Sequence, residues 1–187
     1  MTKAELRKAH KILRKNLSEA QIEALSLRIA NQLLNLPIWS LEFYHLFLSI
    51  TQHKEVNTDY ILNILSGKDK NIVISKSDFS TLTMSHYLLT DSTKIKINEH
   101  NIPEPVGGIP ITPNMIEVVF IPLLAFNKSG HRVGYGKGFY DIFLAECKPE
   151  TIKIGLSFFE SVAAIVDIFE GDVALDYCVT PDKIYEF

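Results

Sequence analysis

The residues best suited to chemistry lie in the segment HRVGYGKGFYDIF, residues 131–143. Its alternating glycines let backbone N–H groups come close to an anion, and the helix predicted to follow adds a favourable dipole at its N-terminus. Arg132 and Lys137 can add charge-assisted hydrogen bonds to phosphate oxygens. The segment therefore predicts a phosphate site, with a glycine-rich turn carrying ordinary surface charge as the alternative. The glycines are Gly134, Gly136 and Gly138.

Two common phosphate-binding motifs are absent from this segment. A dinucleotide fingerprint requires G-x-G-x-x-G, but Phe139 stands at the sixth position counted from Gly134. A P-loop requires G-x-x-x-x-G-K followed by Ser or Thr. Here His131 replaces its first glycine and Gly138 replaces its hydroxyl residue. What remains is a G-x-G-K-G pattern at a helix start, which does not by itself identify the ligand that carries the phosphate.

Asp141 lies one turn into the predicted helix, where an acid can simply favour the helix dipole. It can also hold Mg²⁺, which usually takes one or two protein carboxylates together with substrate phosphates. Of the adjacent aromatic residues Phe139 and Tyr140, we expect one in the core and the other against a flat ligand.

The first sixteen residues are rich in cations, with Glu5 as the only acid. Lys3 and Arg7 are four apart and share a helix face. Cations near a helix N-terminus oppose the dipole at a cost of about 0.3–1 kcal/mol each, which is easier to explain if an anion binds there. The alternative is a solvated helix face. The basic residues are Lys3, Arg7, Lys8, Lys11, Arg14 and Lys15.

Length and composition restrict the class of protein. A chain of 187 residues is expected to form a single domain spanning residues 1–187. No apolar run approaches the length of a membrane span, and the charged N-terminus lacks the apolar core of a signal peptide. We therefore expect a cytoplasmic protein with free thiols at Cys147 and Cys178. The net charge of −3 argues against a general nucleic-acid binder.

Helical and extended patterns alternate along the chain. Capping boxes at Thr2/Glu5 and Ser18/Gln21 start two helices, and two more follow. The alternation predicts an α/β fold, a mostly parallel sheet covered on both faces in three α/β/α layers. The glycine segment should lie at the carboxyl edge of this sheet. Predicted helices are 3–16, 19–35, 57–67 and 139–147. Predicted strands are 43–50, 71–75, 151–159 and 173–181, and 117–126 is a central strand that ends near Pro122 and runs into a loop. Segments 81–89 and 94–98 are predicted to form a peripheral ribbon, 101–113 is a loop, and 161–168 is ambiguous.

These residues resemble the 5-formyltetrahydrofolate cyclo-ligase family, also called 5,10-methenyltetrahydrofolate synthetases, nearly from end to end. IPLLAFNKSGHRVGYGKGFYD (121–141) is the most specific piece. The other matching pieces are KAELR (3–7), EVNT (55–58), IPEP (102–105) and EGDVALDYCVTP (170–181). The resemblance implies a fold akin to that of ribose-5-phosphate isomerase.

The implied reaction is the ATP- and Mg²⁺-dependent cyclisation of 5-formyltetrahydrofolate to 5,10-methenyltetrahydrofolate, through phosphorylation of the formyl oxygen and with release of ADP and phosphate. Phosphoryl transfer asks a protein mainly for positioning and charge neutralisation. The implied partners are small molecules, including folates that carry a polyglutamate tail, and no nucleic acid or membrane. A monomer is expected.

The resemblance also implies residue roles. Lys137 and Arg132 would act in catalysis, and Lys137 would neutralise charge that develops at the transferring group. ATP would contact Lys3, Arg7, Arg132, Gly134, Tyr135, Gly136, Lys137, Gly138, Phe139 and Tyr140. The folate would contact Ile50, Glu55 and Tyr140. Mg²⁺ would be held by Asp141 and Asp172, with Asp167 and Asp176 as alternatives to Asp172. Without the resemblance, Glu55 reads as a carboxylate preceding a helix.

Two departures from the family pattern affect substrate affinity rather than reaction type. Tyr135 stands where the family often has arginine, and segment 74–79 lacks an expected proline and arginine. Lys76 could replace that arginine, although a lysine cannot reproduce its bidentate geometry.

Two other functions remain open. One is a sugar-phosphate isomerase on a similar sheet, which would need a poised general acid/base. The other is a non-catalytic folate- or nucleotide-binding paralogue. Dependence of turnover on ATP and Mg²⁺ discriminates among the cyclo-ligase, the isomerase and the non-catalytic paralogue.

Overall fold

The computed structural model describes residues 1–187. The helices are α1 (Lys3–Lys15), α2 (Glu19–Leu33), α3 (Asp59–Gly67) and α4 (Phe139–Glu146), with short 3₁₀ helices at Thr51–His53 and Pro113–Met115. The strands are β1 (Phe43–His45), β2 (Asn71–Asp78), β3 (Thr83–Leu88), β4 (Ile95–Ile97), β5 (Pro103–Pro105), β6 (Pro110–Ile111), β7 (Val118–Pro122), β8 (Ala125–Phe126), β9 (Arg132–Val133), β10 (Ile152–Leu156), β11 (Tyr177–Val179) and β12 (Ile184–Glu186).

Both predicted capping boxes are present. The Thr2 hydroxyl accepts from the Glu5 N–H at 3.2 Å, and the Glu5 carboxylate accepts from the Thr2 N–H at 2.8 Å. Ser18 and Gln21 make the same reciprocal pair at the start of α2. Because these bonds satisfy N–H groups that a helix leaves unpaired, local sequence alone sets where both helices begin.

Eight strands form one central sheet in the order β12-β11-β10-β7-β1-β2-β3-β6. The inner five, from β11 to β2, are parallel to their neighbours, and β12, β3 and β6 add antiparallel strands at the two edges. This arrangement confirms the predicted α/β class with a mostly parallel sheet. The ribose-5-phosphate isomerase label stays a prediction.

Side chains alternate between the two faces of the sheet, and each face has its own core. Tyr44 and Phe120 pack with residues of α2 and α3 in the larger cluster. Val73 and Val119 pack with Phe143 of α4 in the second cluster. The sheet therefore has helices on both faces, as the three-layer prediction requires.

The chain departs from the predicted elements at several places. Segment 81–89 joins the central sheet as β3 instead of a peripheral ribbon. The proline-rich segment 101–113, predicted as a loop, supplies β5 and β6. Both are short and lie at edges, where a residue without an N–H is tolerated. Strand β1 ends at His45, earlier than predicted, and β12 makes 173–181 the penultimate strand rather than the last.

Candidate active site

A cavity of about 970 Å³ opens at the carboxyl ends of the parallel strands. His45 at the end of β1, Ser75 in β2 and Pro122 at the end of β7 line it. The glycine loop, residues 134–138, lies between β9 and α4 and forms another wall. The cavity is therefore at the edge where ligands gather in open α/β sheets.

The conformation of the glycine loop depends on two of its glycines. Gly136 and Gly138 have φ of +93° and +78°, a region that other residues rarely enter. Gly138 directly precedes α4, whose N-terminus has no side-chain cap. The first N–H groups of α4 thus remain available for an anion at the positive end of the helix dipole.

Helix α1 lies against the glycine loop through Arg7. The Arg7 Nε donates to the Gly134 carbonyl at 2.9 Å. A methyl group added at Gly136 would lie 3.1 Å from Arg7 Cζ, so glycine there makes room for the guanidinium. Lys3 and Lys11 of the same helix also line the cavity, so three of the six N-terminal basic residues lie around one space.

Arg132 and Asp141 connect the two ends of the glycine loop. Arg132 Nη2 donates to Asp141 Oδ1 at 2.7 Å, and the Arg132 side chain is only 7% exposed. The same carboxylate oxygen accepts from the Val173 N–H at 3.1 Å, while Arg132 Nη1 donates to the Val173 carbonyl. Lys137, at the centre of the loop, is exposed toward the cavity.

Two carboxylates of the cavity each keep one oxygen without a hydrogen bond. Asp141 uses Oδ1 for its bonds to Arg132 and Val173. Asp172 uses Oδ2 for Lys3 and for the Phe169 N–H. The remaining oxygens, Asp141 Oδ2 and Asp172 Oδ1, are of the hard type that Mg²⁺ prefers.

Neither alternative to Asp172 lines the cavity. Asp167 accepts from the Lys3 N–H at the start of α1, and Asp176 pairs with Lys153. The donor set thus fits Mg²⁺ held by Asp141 and Asp172 together with phosphate oxygens.

Glu55 is a buried carboxylate, 4% exposed, that also lines the cavity. Its Oε1 accepts from the Tyr135 hydroxyl at 2.6 Å, and its Oε2 accepts from the Ile50 N–H at 2.7 Å. Burial raises the pKa of Glu55, and the hydrogen bonds from Tyr135 and Ile50 oppose that rise. Arg14 Nη1 in turn donates to the Tyr135 hydroxyl at 2.7 Å.

Comparison with known proteins gives a consistent result for the whole chain. Residues 1–181 match the 5-formyltetrahydrofolate cyclo-ligase family. The chain belongs to this family. The 5-formyltetrahydrofolate cyclo-ligase of Mus musculus is 29% identical over 151 residues, covering 74% of this chain and 72% of that protein.

Two solved structures are similar to this cyclo-ligase family member over nearly their full length. The 5,10-methenyltetrahydrofolate synthetase of Aquifex aeolicus has a TM-score of 0.82 at 28% identity, covering 100% of this chain and 93% of that one. The 5,10-methenyltetrahydrofolate synthetase of Mycoplasma pneumoniae has a TM-score of 0.77 at 25% identity, covering 97% and 99%. No helix of the chain is long and apolar enough to cross a membrane.

The structure brings together every site residue that the resemblance to the cyclo-ligase family implied. All of them line the one cavity, while their individual roles stay predictions. They are Lys3, Arg7, Ile50, Glu55, Arg132, Gly134, Tyr135, Gly136, Lys137, Gly138, Phe139, Tyr140, Asp141 and Asp172.

The structure excludes Lys76 as the substitute for a missing family arginine. Lys76 is exposed and does not line the cavity, whereas its neighbours Ser75 and Ser77 do. Successive residues of a strand point to opposite faces, so β2 directs one lysine away from the site. This alternation is visible in the sequence and could have corrected the assignment.

Sequence reasoning also missed a buried polar network beside the cavity. The Ser75 hydroxyl lies 2.7 Å from His45 Nε2 and 2.7 Å from His86 Nδ1. Burial lowers the pKa of His45 well below its ordinary value and that of His86 to about 4, so both rings are neutral at pH 7. No spacing in the sequence indicates this contact, because the three residues come from three strands.

An aromatic wall completes the site on the side of β2. The Phe79 ring lies 4.0 Å from the His100 ring and 5.0 Å from the Phe139 ring, measured between centroids. All three residues line the cavity. Rings this close leave no room for a ligand between them, but their exposed faces and edges can pack beside a flat ligand.

Proposed function

We propose that the protein catalyses the ATP- and Mg²⁺-dependent cyclisation of 5-formyltetrahydrofolate to 5,10-methenyltetrahydrofolate, releasing ADP and phosphate. The observation that carries the proposal is that one cavity is lined both by the glycine loop with the cations Lys3, Arg7 and Arg132 and by the buried acceptor Glu55. We call the loop with these cations the phosphate end of the site, and Glu55 with Ile50 and Tyr140 the folate end. Family membership supports the same reaction.

The phosphate end suits transfer of the γ-phosphoryl group of ATP, a substrate consumed in each turnover. The formyl oxygen attacks the γ-phosphorus, and the bond to the bridging oxygen breaks to release ADP. Backbone N–H groups of the glycine loop and the charges of Arg7 and Arg132 hold phosphate oxygens. Lys137, exposed at the centre of the loop, neutralises the negative charge on the transferring group.

The folate end suits ring closure. The neighbouring folate nitrogen attacks the carbon of the phosphorylated formyl group, loses its proton, and displaces phosphate as the carbon–oxygen bond breaks. Glu55 accepts hydrogen bonds from N–H groups of the pterin ring, while Ile50 and Tyr140 border it. Holding the substrate in this geometry replaces a chance encounter with an intramolecular step.

Asp141 and Asp172 would hold Mg²⁺ through the oxygens that bond to no protein group. When bound, the ion supplies charge that offsets the phosphates and orients them. Burial of Arg132 beside Asp141 keeps that carboxylate in place, and Lys3 does the same for Asp172.

We further propose that residues 1–187 act as one cytoplasmic, monomeric domain that accepts folates with or without a polyglutamate tail. Mass measurement in solution tests the monomer, and a comparison of KM for mono- and polyglutamylated substrates tests the tail.

The first experiment mixes purified protein with 5-formyltetrahydrofolate, Mg²⁺ and ATP, and follows the near-ultraviolet absorbance of the methenyl product. A rise that requires ATP supports the proposal. No rise in folded protein contradicts it, and separate measurements of ATP and folate binding then identify a non-catalytic paralogue. A sugar-phosphate isomerase would show neither product nor nucleotide dependence.

A further inference from the structure

Arg14 is a buried arginine just behind the wall of the cavity. It lies in the last turn of α1, is 3% exposed and does not line the cavity itself. Its Nη1 donates to the Tyr135 hydroxyl at 2.7 Å, and its Nη2 donates to the Leu123 carbonyl. A buried cation needs such partners because loss of hydration is costly. The contact with Tyr135 joins α1 to the glycine loop.

The group to which the Tyr135 hydroxyl donates its proton can be deduced from its two hydrogen-bond partners. A guanidinium only donates, so Arg14 occupies an acceptor position of the Tyr135 oxygen. The hydroxyl has a single proton, and its other partner is Glu55 Oε1, which lies 2.6 Å from the hydroxyl oxygen. Arg14 therefore directs the Tyr135 proton toward Glu55.

The Glu55 carboxylate is thereby held at both oxygens. Tyr135 donates to Oε1, and the Ile50 N–H donates to Oε2. A carboxylate oxygen can accept more than one hydrogen bond, so both oxygens keep capacity for a ligand in the cavity. The plane of the carboxylate is set by protein donors before any ligand arrives.

The surroundings of Glu55 include one permanent cation. Burial raises the pKa of Glu55, and this rise is opposed by the hydrogen bond from the Tyr135 hydroxyl and by the charges of Arg14 and His53. Tyr140, another titratable group that interacts with Glu55, is neutral because burial raises its pKa. Arg14 is the one of these groups that is charged at every accessible pH.

We propose that Arg14 is a positioning residue for the folate end of the site. By orienting Tyr135, it holds the Glu55 carboxyl group as a fixed acceptor for a heterocycle that presents neighbouring N–H donors. The inference rests on the proposed role of Glu55 in binding the pterin ring. It also accounts for tyrosine at position 135, where a second guanidinium would lie beside the buried Arg14.

The test compares Arg14→Leu with Lys15→Leu, which also replaces a cation by leucine but at an exposed position of the same helix. We expect Arg14→Leu to raise KM for 5-formyltetrahydrofolate about tenfold, the effect of losing a hydrogen-bonded charge, with KM for ATP within about twofold. The acidic limb of the pH profile of kcat/KM should move to higher pH, because Glu55 loses a neighbouring cation that favours its ionised form. Lys15→Leu should resemble the unmodified protein. Arg14→Lys should be intermediate, since lysine keeps the charge but not the fork geometry.

A merely structural role would raise both KM values together or leave the acidic limb in place, and either result overturns the inference. If Arg14→Leu does not fold, Tyr135→Phe removes only the hydroxyl and should give the same selective rise. Glu55→Gln separates the two proposals. If it leaves KM for the folate unchanged, the role of Glu55 fails. If it raises that KM while Arg14→Leu does not, only the role of Arg14 fails.

Discussion

Arg132 and Asp141 are nine residues apart and are joined by a 2.7 Å hydrogen-bonded ion pair across the glycine loop. Arg132 belongs to β9, and Asp141 belongs to the first turn of α4. Because both residues also bond to Val173, the two ends of the loop are anchored to one another and to the segment before β11. The loop can therefore keep its shape without a ligand.

We expect Asp141→Asn to raise the Mg²⁺ concentration needed for half-maximal turnover, because the change removes one negative charge from the proposed ligand pair. A magnesium titration of turnover at saturating ATP measures this. Asp176→Asn is the matched control, since Asp176 also forms an ion pair but lies outside the cavity. Equal magnesium titrations for Asp141→Asn and the control would count against metal ligation by Asp141.

Replacement of Lys137 with alanine should lower kcat about 100-fold, the usual effect of removing one charge-stabilising donor. Its side chain is exposed, so thermal stability should not change. Lys128→Ala is the control, because Lys128 is an exposed lysine in a neighbouring turn away from the cavity. Near-normal turnover of Lys137→Ala with unchanged ATP affinity would remove Lys137 from the mechanism.

Alanine substitutions at Gly136 and Gly134 of the glycine loop should differ in their effect on stability. Gly136→Ala places a Cβ at φ +93° and 3.1 Å from Arg7 Cζ, so we expect a loss of about 1–2 kcal/mol of unfolding free energy and a raised KM for ATP. Gly134 has neither a positive φ nor an atom in the way, so Gly134→Ala should cost little stability. Chemical denaturation of both variants measures the difference; equal losses would contradict the geometric reason.

The buried histidines should make the protein less stable in acid. His86 has its pKa lowered by burial to about 4 from an ordinary value of 6.5. Between those values the unfolded chain binds a proton that the folded chain does not, so stability falls as pH decreases. The full effect, reached below pH 4, is about 3 kcal/mol, and His45 acts in the same direction.

Urea denaturation at several pH values tests this effect by comparing the protein with His86→Gln, which removes the titrating group. The difference in unfolding free energy between the two proteins should be constant above pH 7 and should shift in favour of His86→Gln between pH 6.5 and 4. A difference that does not vary with pH would show that His86 titrates normally.

Local sequence determined much of this protein. The starts of α1 and α2 follow from capping residues three positions apart, and the apolar runs around Ile72 and Val119 predict buried strands because such runs suit the interior of a parallel sheet. A glycine segment between a strand and a helix also predicts an anion site at the carboxyl edge. Each of these depends on neighbours within one or two turns of the chain.

Only the tertiary structure decided which distant residues meet. Arg14, Glu55 and Tyr135 come from α1, the loop before α3 and the glycine loop, and their hydrogen bonds span 80 to 121 residues of sequence. No pattern in the sequence reports such contacts, because they depend on how the helices pack against the sheet.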